Sequence, residues 1–181
     1  MPNWCENRVT VTGDETDLVA FRNLVEGLDN HGYDSVLSFH QILPMPDILV
    51  NTRSPIKVVD TVAEAITQNS DMNETFKGFG DGEGNRVGAM TKNASDDLLK
   101  KYGANNWYDW SNEMWGTKWQ PSDITAEYES DVITYDFDTA WSPPSGIYLA
   151  LVQQFPNVHI SWFYNEPGMQ VCGYLDKEYA L

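Results

Sequence analysis

Between Asp123 and Pro144 the chain reads DITAEYESDVITYDFDTAWSPP. Asp123, Glu127, Glu129, Asp131, Asp136 and Asp138 fall within this stretch, and no Lys or Arg does. Carboxylates grouped in this way support three kinds of chemistry. They can ligate a hard cation such as Ca²⁺ or Mg²⁺ through oxygen. They can imitate nucleic-acid phosphate and steer toward a basic groove on another protein. They can also form a solvated acidic face that only keeps a protein soluble. No loop follows the calcium pattern D-x-[DN]-x-[DN]-G. DGEGN, with Asp81, Glu83 and Asn85, carries half of it. No metal is assigned on that basis.

The acids need a scaffold, and the pattern around them supplies one. Residues 123–129 and 132–139 alternate as strands do, with a turn at Ser130-Asp131. Ile124, Ala126 and Tyr128 share a side with Ile133, Tyr135 and Phe137. A two-residue turn pairs Glu129 with Val132, Glu127 with Thr134, Thr125 with Asp136, and Asp123 with Asp138. Five carboxylates then share one sheet face, with Asp131 at the turn. Like charges opposite one another weaken a sheet. No Lys or Arg lies anywhere from Trp119 to Asp176 to offset them, while Glu166 and Asp176 add to the acids. The docking and solubilising readings both stay open.

A second group of side chains is aromatic. NWYDWSNEMWGTKW (106–119) holds four Trp in fourteen residues. Trp107, Trp110 and Met114 fall on one helical face, and a short helix ending at Gly116 is expected. Trp107, Trp110, Trp115, Trp119 and Trp141 are the alternative candidate site, a pocket for a flat or sugar-like ligand. The competing reading is that they wrap the core. Lys118 is placed to stack on a ring. His31, His40 and His159 have no ligand spacing. Ser142 and Ser145 read as helix caps, since SPPSG lacks the G-x-S-x-G elbow. GFGDGEG has no GK[ST] after it. Nothing assembles a nucleophile, a base and an orienting group. The chain is therefore read as a binding protein and not an enzyme, with no cofactor.

The whole chain is acidic. Eleven Lys and Arg against 27 Asp and Glu give 181 residues a net charge of −16 and a pI near 4.3. Phosphate binding needs cations, so direct nucleic-acid binding is not expected. MPNWCENRVTV has no basic segment leading an apolar run, and no stretch approaches a membrane span. A cytoplasmic protein with no membrane partner is expected. Cys5 and Cys172 read as free thiols, unless the first and last strands are neighbours.

The remaining elements set the fold class. A strand over 4–12 points Cys5, Asn7, Val9 and Val11 one way and Trp4, Glu6, Arg8, Thr10 and Thr12 the other. Asp14 caps a helix facing inward with Leu18, Phe21, Leu24, Val25 and Leu28. VLSFHQILPMP (36–46) reads as a strand. A helix is expected over 56–68, with Val59, Val62, Ala63 and Ile66 inward. Residues 78–88 read as a Gly-rich loop and 94–102 as a short helix. Ser142 caps a helix bearing Ile147, Tyr148, Leu151, Val152 and Phe155, and a hairpin across NEPG follows. This order predicts one α+β domain over 1–181, a ferredoxin-like antiparallel sheet with helices on one face, with 70–120 inserted or covering.

MPNWCENRVTVTG, ILPMP, NWYDW with WGTKW, FDTAWSPP and WFYNEPGMQVCGY together resemble the YubB-like ferredoxin-like family of phage and plasmid proteins. That resemblance implies the same fold and a mobile genetic element as its home. It implies no activity and no catalytic residue. Taken with the charge, it leads to a protein that engages a host protein, with a nucleic-acid-binding or defence protein as one candidate class. The acidic surface around 123–138 would make the contact. Reversing Glu127 and Asp136 to Lys is expected to abolish it. A ligand-binding or enzymatic module, a phage assembly accessory and a homo-oligomer remain alternatives.

Overall fold

The structure is a computed structural model describing residues 3–75 and 86–176. The chain divides into two compact units, Met45–Trp110 and the flanking Met1–Pro44 with Ser111–Leu181. In chain order, β1 (Trp4–Thr12) is followed by α1 (Glu15–Val25), a short pair β2 (Gly27–Leu28) and β3 (Asp34–Ser35), and the one-turn helix α2 (Phe39–Ile42). The inner unit holds α3 (Asp47–Val50), β4 (Thr52–Val59), α4 (Val62–Thr75), β5 (Val87–Thr91) and α5 (Lys92–Tyr102). Helix α6 (Trp107–Met114) runs across the division. Then come β6 (Ser122–Tyr128), β7 (Val132–Ala140), α7 (Ser145–Gln154), β8 (His159–Glu166) and β9 (Val171–Leu175).

The flanking unit is built on one antiparallel sheet in the order β6-β7-β1-β8-β9. The paths from β1 through α1 to β6 and from β7 through α7 to β8 each step over one strand. This is the split βαβ of a ferredoxin-like domain, as the element order predicts, with β9 added at one edge. The interposed chain begins directly after α1, and the second unit it contains runs from Met45 to Trp110. The expected upper boundary of 120 falls just before β6, whereas the expected lower boundary of 70 lies inside α4.

Alternation decides which side of the sheet is core. Cys5, Asn7, Val9 and Val11 of β1 are buried, with Ile133, Tyr135 and Phe137 of β7 and Ile160, Trp162 and Tyr164 of β8. Leu18, Phe21 and Val25 of α1 and Ile147, Tyr148 and Leu151 of α7 are buried too. Edge-on ring contacts tie these layers. Phe137 and Tyr148 stand 5.6 and 6.1 Å from Trp162, centroid to centroid. Each such buried side chain contributes roughly 1.5–3 kcal/mol. The opposite face carries Trp4, Glu6, Arg8, Asp136 and Tyr174, all exposed or half-exposed.

Several middle elements differ from expectation. Residues 36–46 are not a strand: the Ser38 hydroxyl accepts from the Gln41 amide and starts α2, which buries Phe39 and Ile42 one turn apart. The expected 56–68 helix is the end of β4 and the start of α4. Val59 is buried as a strand residue, whereas Val62 and Ile66 are exposed and Ala65 is buried. Leu28 leaves the helix and lies exposed in β2. Ser142 does not cap α7. Its hydroxyl donates to the Gly116 carbonyl at 2.7 Å, and Pro144 occupies the cap position.

In the inner unit β4 and β5 pair in parallel with α4 between them in sequence. Asn69 fastens α4 to β5. Its Oδ1 accepts from the amides of Gly88 and Ala89 at 2.8 and 2.7 Å, and its Nδ2 donates to the Ala89 carbonyl. Thr91 caps α5, and Gly103 ends it in the left-handed conformation that favours glycine. Most of the expected Gly-rich loop, with Asp81, Glu83 and Asn85, lies outside the described residues.

Candidate functional site

The hairpin β6–β7 forms with the expected register at its turn end. Glu127 faces Thr134 and Thr125 faces Asp136. The Glu129 amide donates to the Val132 carbonyl at 2.9 Å, and Glu129 and Asp131 stand exposed around the turn. At the far end the register shifts, and Ser122, not Asp123, pairs with Asp138. Asp123 has a φ of 51°. A bulge takes up one extra residue there and turns Asp123 out of the ladder. Asp is one of the few side chains that enter this region readily.

Strand order then decides which other groups reach the face. β1 lies beside β7 and pairs Glu6 with Asp138 and Arg8 with Asp136. Arg8 Nε donates to Asp136 Oδ1 at 2.7 Å and Nη2 to Oδ2 at 3.0 Å, a two-bond pair on the solvent side. These bonds, with the Asp136 charge, raise the Arg8 pKa further. The local sequence offers no cation, but the neighbouring strand supplies one at this position. Asp138 is placed differently. Its carboxyl pKa is raised by partial burial first, then by the charges of Asp123 and Glu6. Glu6 also accepts from Asn165 Nδ2 at 2.9 Å. Glu6 belongs to this acidic end and was missed as a site residue. Its outward position on β1 was legible, and only the strand order was needed to place it.

On the other side of the hairpin, Tyr128 donates to Glu26 Oε1 at 2.9 Å, and Arg22 bonds the same oxygen and covers the Tyr128 ring. Burial pushes the Tyr135 phenol well up. This cluster fastens α1 to β6 and β7.

The candidate Trp fall in both units, Trp107 and Trp110 in the inner one and Trp115, Trp119 and Trp141 in the flanking one. Trp110 is buried in the turn of α6, and Trp107 meets Tyr108 edge-on at 5.7 Å. Trp115 is buried, donates its indole N–H to the Leu43 carbonyl at 2.8 Å and packs on Phe39. Trp119 is half-exposed, 6.4 Å from Trp4, with the Lys118 ammonium 4.0 Å from its ring centre. Trp141 is half-exposed and lines a cleft of about 250 Å³ in the flanking unit, together with Tyr164, Met169 and Val171. The other four are not part of its lining.

This cleft is made where β7 and β8 end. Trp141 follows β7 with a φ of 72° and donates its amide to the Asn3 carbonyl. An aromatic residue in the left-handed region is uncommon, and the surrounding structure must hold it there. Ser142, Pro143 and Ser145 pass along the rim into α7, and Glu166 at the end of β8 is also in the lining. Glu166 is 1% exposed. Its Oε2 accepts from the Met169 amide, and its Oε1 has no protein partner. Gly168 closes over it, since a Cβ there would meet Asn3 and Glu166 Oε1.

A family model for the ferredoxin-like domain in Api92-like protein matches residues 114–179. That span holds the acidic hairpin, the cleft and β9. The crystal structure of protein api92 from Yersinia pseudotuberculosis is similar in fold, with a TM-score of 0.52 at 14% identity, over 96% of this chain and 93% of that one. No curated protein matches the chain. The expected ferredoxin-like class is therefore shared with an Api92-like domain.

The remaining candidates disperse. His31 lies in the turn after β2, His40 in α2 and His159 at the start of β8. Among the described residues no group of three or more His, Cys, Asp and Glu could hold a metal ion, and no helix is long and apolar enough to cross a membrane. Cys5 is buried on β1 and Cys172 exposed on β9. β8 separates their strands, so first and last are not neighbours. Burial pushes the Cys5 thiol up to about 11, with the Glu166 charge adding to it.

Proposed function

We propose that the chain is a binding protein, not an enzyme, that presents the β6–β7–β1 end of its open sheet face to a basic surface on a host protein. The observation that carries this is Asp138. It sits between Glu6 and Asp123 with its carboxyl pKa raised, on a face whose Arg8 is held by Asp136. Such a cluster is relieved when a partner brings cations to it. Glu6, Asp123, Asp138, Glu127, Glu129 and Asp131 form the contact set. Asp136 serves the sheet through Arg8. The net charge of −16 favours a target that normally grips phosphate, so the surface acts as a mimic of DNA. The resemblance to YubB-like proteins of phages and plasmids supports a counter-defence or host-takeover role in the host cytoplasm.

The test is capture of a nucleic-acid-binding protein on the immobilised chain, with duplex DNA as competitor. Expected is capture at about 50 mM salt that is lost by about 500 mM, and loss on Glu127→Lys with Asp138→Lys. Capture that survives salt, ignores DNA, or is unchanged in the variant overturns the reading.

A further inference from the structure

The cleft beside Trp141 lies apart from the acidic hairpin contacts and poses a separate chemical question. Glu166 is 1% exposed and keeps one carboxylate oxygen without a protein partner. A buried carboxylate is stable when a cation or further donors meet it. Among the described residues β7, α7, β8 and β9 carry no Lys or Arg to do so, and Arg8 of β1 is held by Asp136 on the other face of the sheet. The same cleft is lined by Trp141, held in the left-handed region and 48% exposed, and by Pro143, Tyr164, Met169 and Val171. An aromatic face, an apolar channel and a single unpaired carboxylate oxygen are together what a short alkylammonium group requires.

We propose that this cleft binds a primary ammonium group on a short alkyl chain, with Glu166 as its counter-ion and Trp141 covering it. Three observations narrow the ligand to that chemistry. Glu166 Oε2 is already engaged by the Met169 amide, which leaves one acceptor oxygen. A planar guanidinium is best met by two, whereas an ammonium is a point charge. Helix α7 also begins here, and a free helix end would favour an anion. Its Ser145 and Gly146 amides are already given to the Pro143 and Trp115 carbonyls. The volume of about 250 Å³ lies just below the usual range of roughly 300–1,000 Å³ for ligand pockets, which fits one extended chain and not a nucleotide. A free alkyl amine and a lysine side chain of a peptide share this chemistry.

The experiment is calorimetric titration of the full chain with 1-aminopentane, its neutral isostere 1-pentanol, and a blocked lysine in a short peptide, at physiological salt. Expected is saturable one-to-one binding of the amine, none of the alcohol, and an affinity loss of tenfold or more in Glu166→Gln. Glu15→Gln, an exposed acid on α1, is expected to bind as the parent does. The peptide arm separates the sources. Tighter binding of the lysine peptide assigns the cleft to a protein chain, and tighter binding of the free amine assigns it to a metabolite. Should Glu166→Gln not fold, Trp141→Leu carries the test, with an unchanged melting temperature and weakened amine binding expected. No saturation by either amine, equal binding of the alcohol, or unchanged affinity in both variants overturns the proposal.

Discussion

Replacing Asn7 by Val probes a polar network inside the sheet's core. Asn7 is 3% exposed. Its Oδ1 accepts from the Trp162 indole N–H at 3.1 Å, and its Nδ2 donates to the Cys5 carbonyl at 2.8 Å and to Thr139 Oγ1 at 2.9 Å. Val matches its size and suits a strand, so the change is mainly one of polarity. Trp162 is 1% exposed, and its N–H would then have no acceptor. An orphaned buried donor costs about 1–3 kcal/mol. Thr139 keeps its own bond to the Ser142 carbonyl at 2.8 Å, so it adds little. Burial of the Val methyls offsets about a third of the loss, leaving about 1–2 kcal/mol. In urea, with a slope of about 1–3 kcal/mol per molar, the midpoint falls by on the order of 1 M. A double-mutant cycle with Trp162→Phe isolates the bond, with an expected coupling of about 1 kcal/mol. Additive single and double variants would show that Asn7 and Trp162 do not depend on one another.

Four further outcomes follow from the geometry. Asp138→Asn is expected to raise the melting temperature at pH 7. A carboxyl whose folded pKa is raised stabilises the fold only while protonated, so the gain should vanish as pH falls below the ordinary Asp value of 3.8. Cys5, raised from 9.0 to about 11, keeps its proton in the fold at pH values where the unfolded chain loses it. Its share of stability, on the order of 2–3 kcal/mol, should be lost between about pH 9 and 11, and Cys5→Ala should flatten the fall between about pH 9 and 10, below the range where the raised Tyr128, Tyr135 and Tyr148 add to it, in a pH series of denaturant melts. Thiol labelling of the native chain at pH 8 should modify Cys172 promptly and Cys5 only on unfolding, as mass mapping would show. Gly146→Ala should lower stability by about 1–3 kcal/mol, because its Cβ would collide with the Met114 carbonyl in the turn packed against α7; an unchanged melt would refute that contact.

The flanking unit was legible because each of its strands buries one side. Burial alternates residue by residue along β1 and β8 and along β7 as far as Thr139, most of the buried positions are apolar, and the helices between them carry apolar residues one turn apart. The middle was misread where a pattern crossed an element boundary. Val59, Val62, Ala63 and Ile66 have helical spacing, yet the first ends β4 and the others lie in α4. β4 also holds Pro55, which has no ladder donor to give and so weakens a strand signal. The bulge at Asp123 was invisible because one extra residue leaves the alternation on each side intact. The cleft was invisible for another reason. Glu166 looks like any strand-end acid, and only its burial and its unpaired oxygen set it apart.

The cation opposite Asp136 shows why the site could be read in part only. Arg8 and Asp136 lie 128 positions apart, so a search for cations near the acids in sequence misses the pair. The strand order also changes how the docking surface must be tested. Reversing Asp136 to Lys, as the sequence suggests, would set it against Arg8 on the neighbouring strand. Like charges directly opposite weaken a sheet. Loss of partner binding in that variant would then have two causes, a lost contact and a damaged β1–β7 pairing. Asp138→Lys avoids this, because its neighbours are Glu6 and Asp123, and a cation there relieves the repulsion. Combined with Glu127→Lys, whose carboxylate acts on Arg8 only behind Asp136, it should leave the melt close to the parent's while partner capture is lost. A variant that loses capture and also melts early would mean that the sheet, and not its charge, was tested.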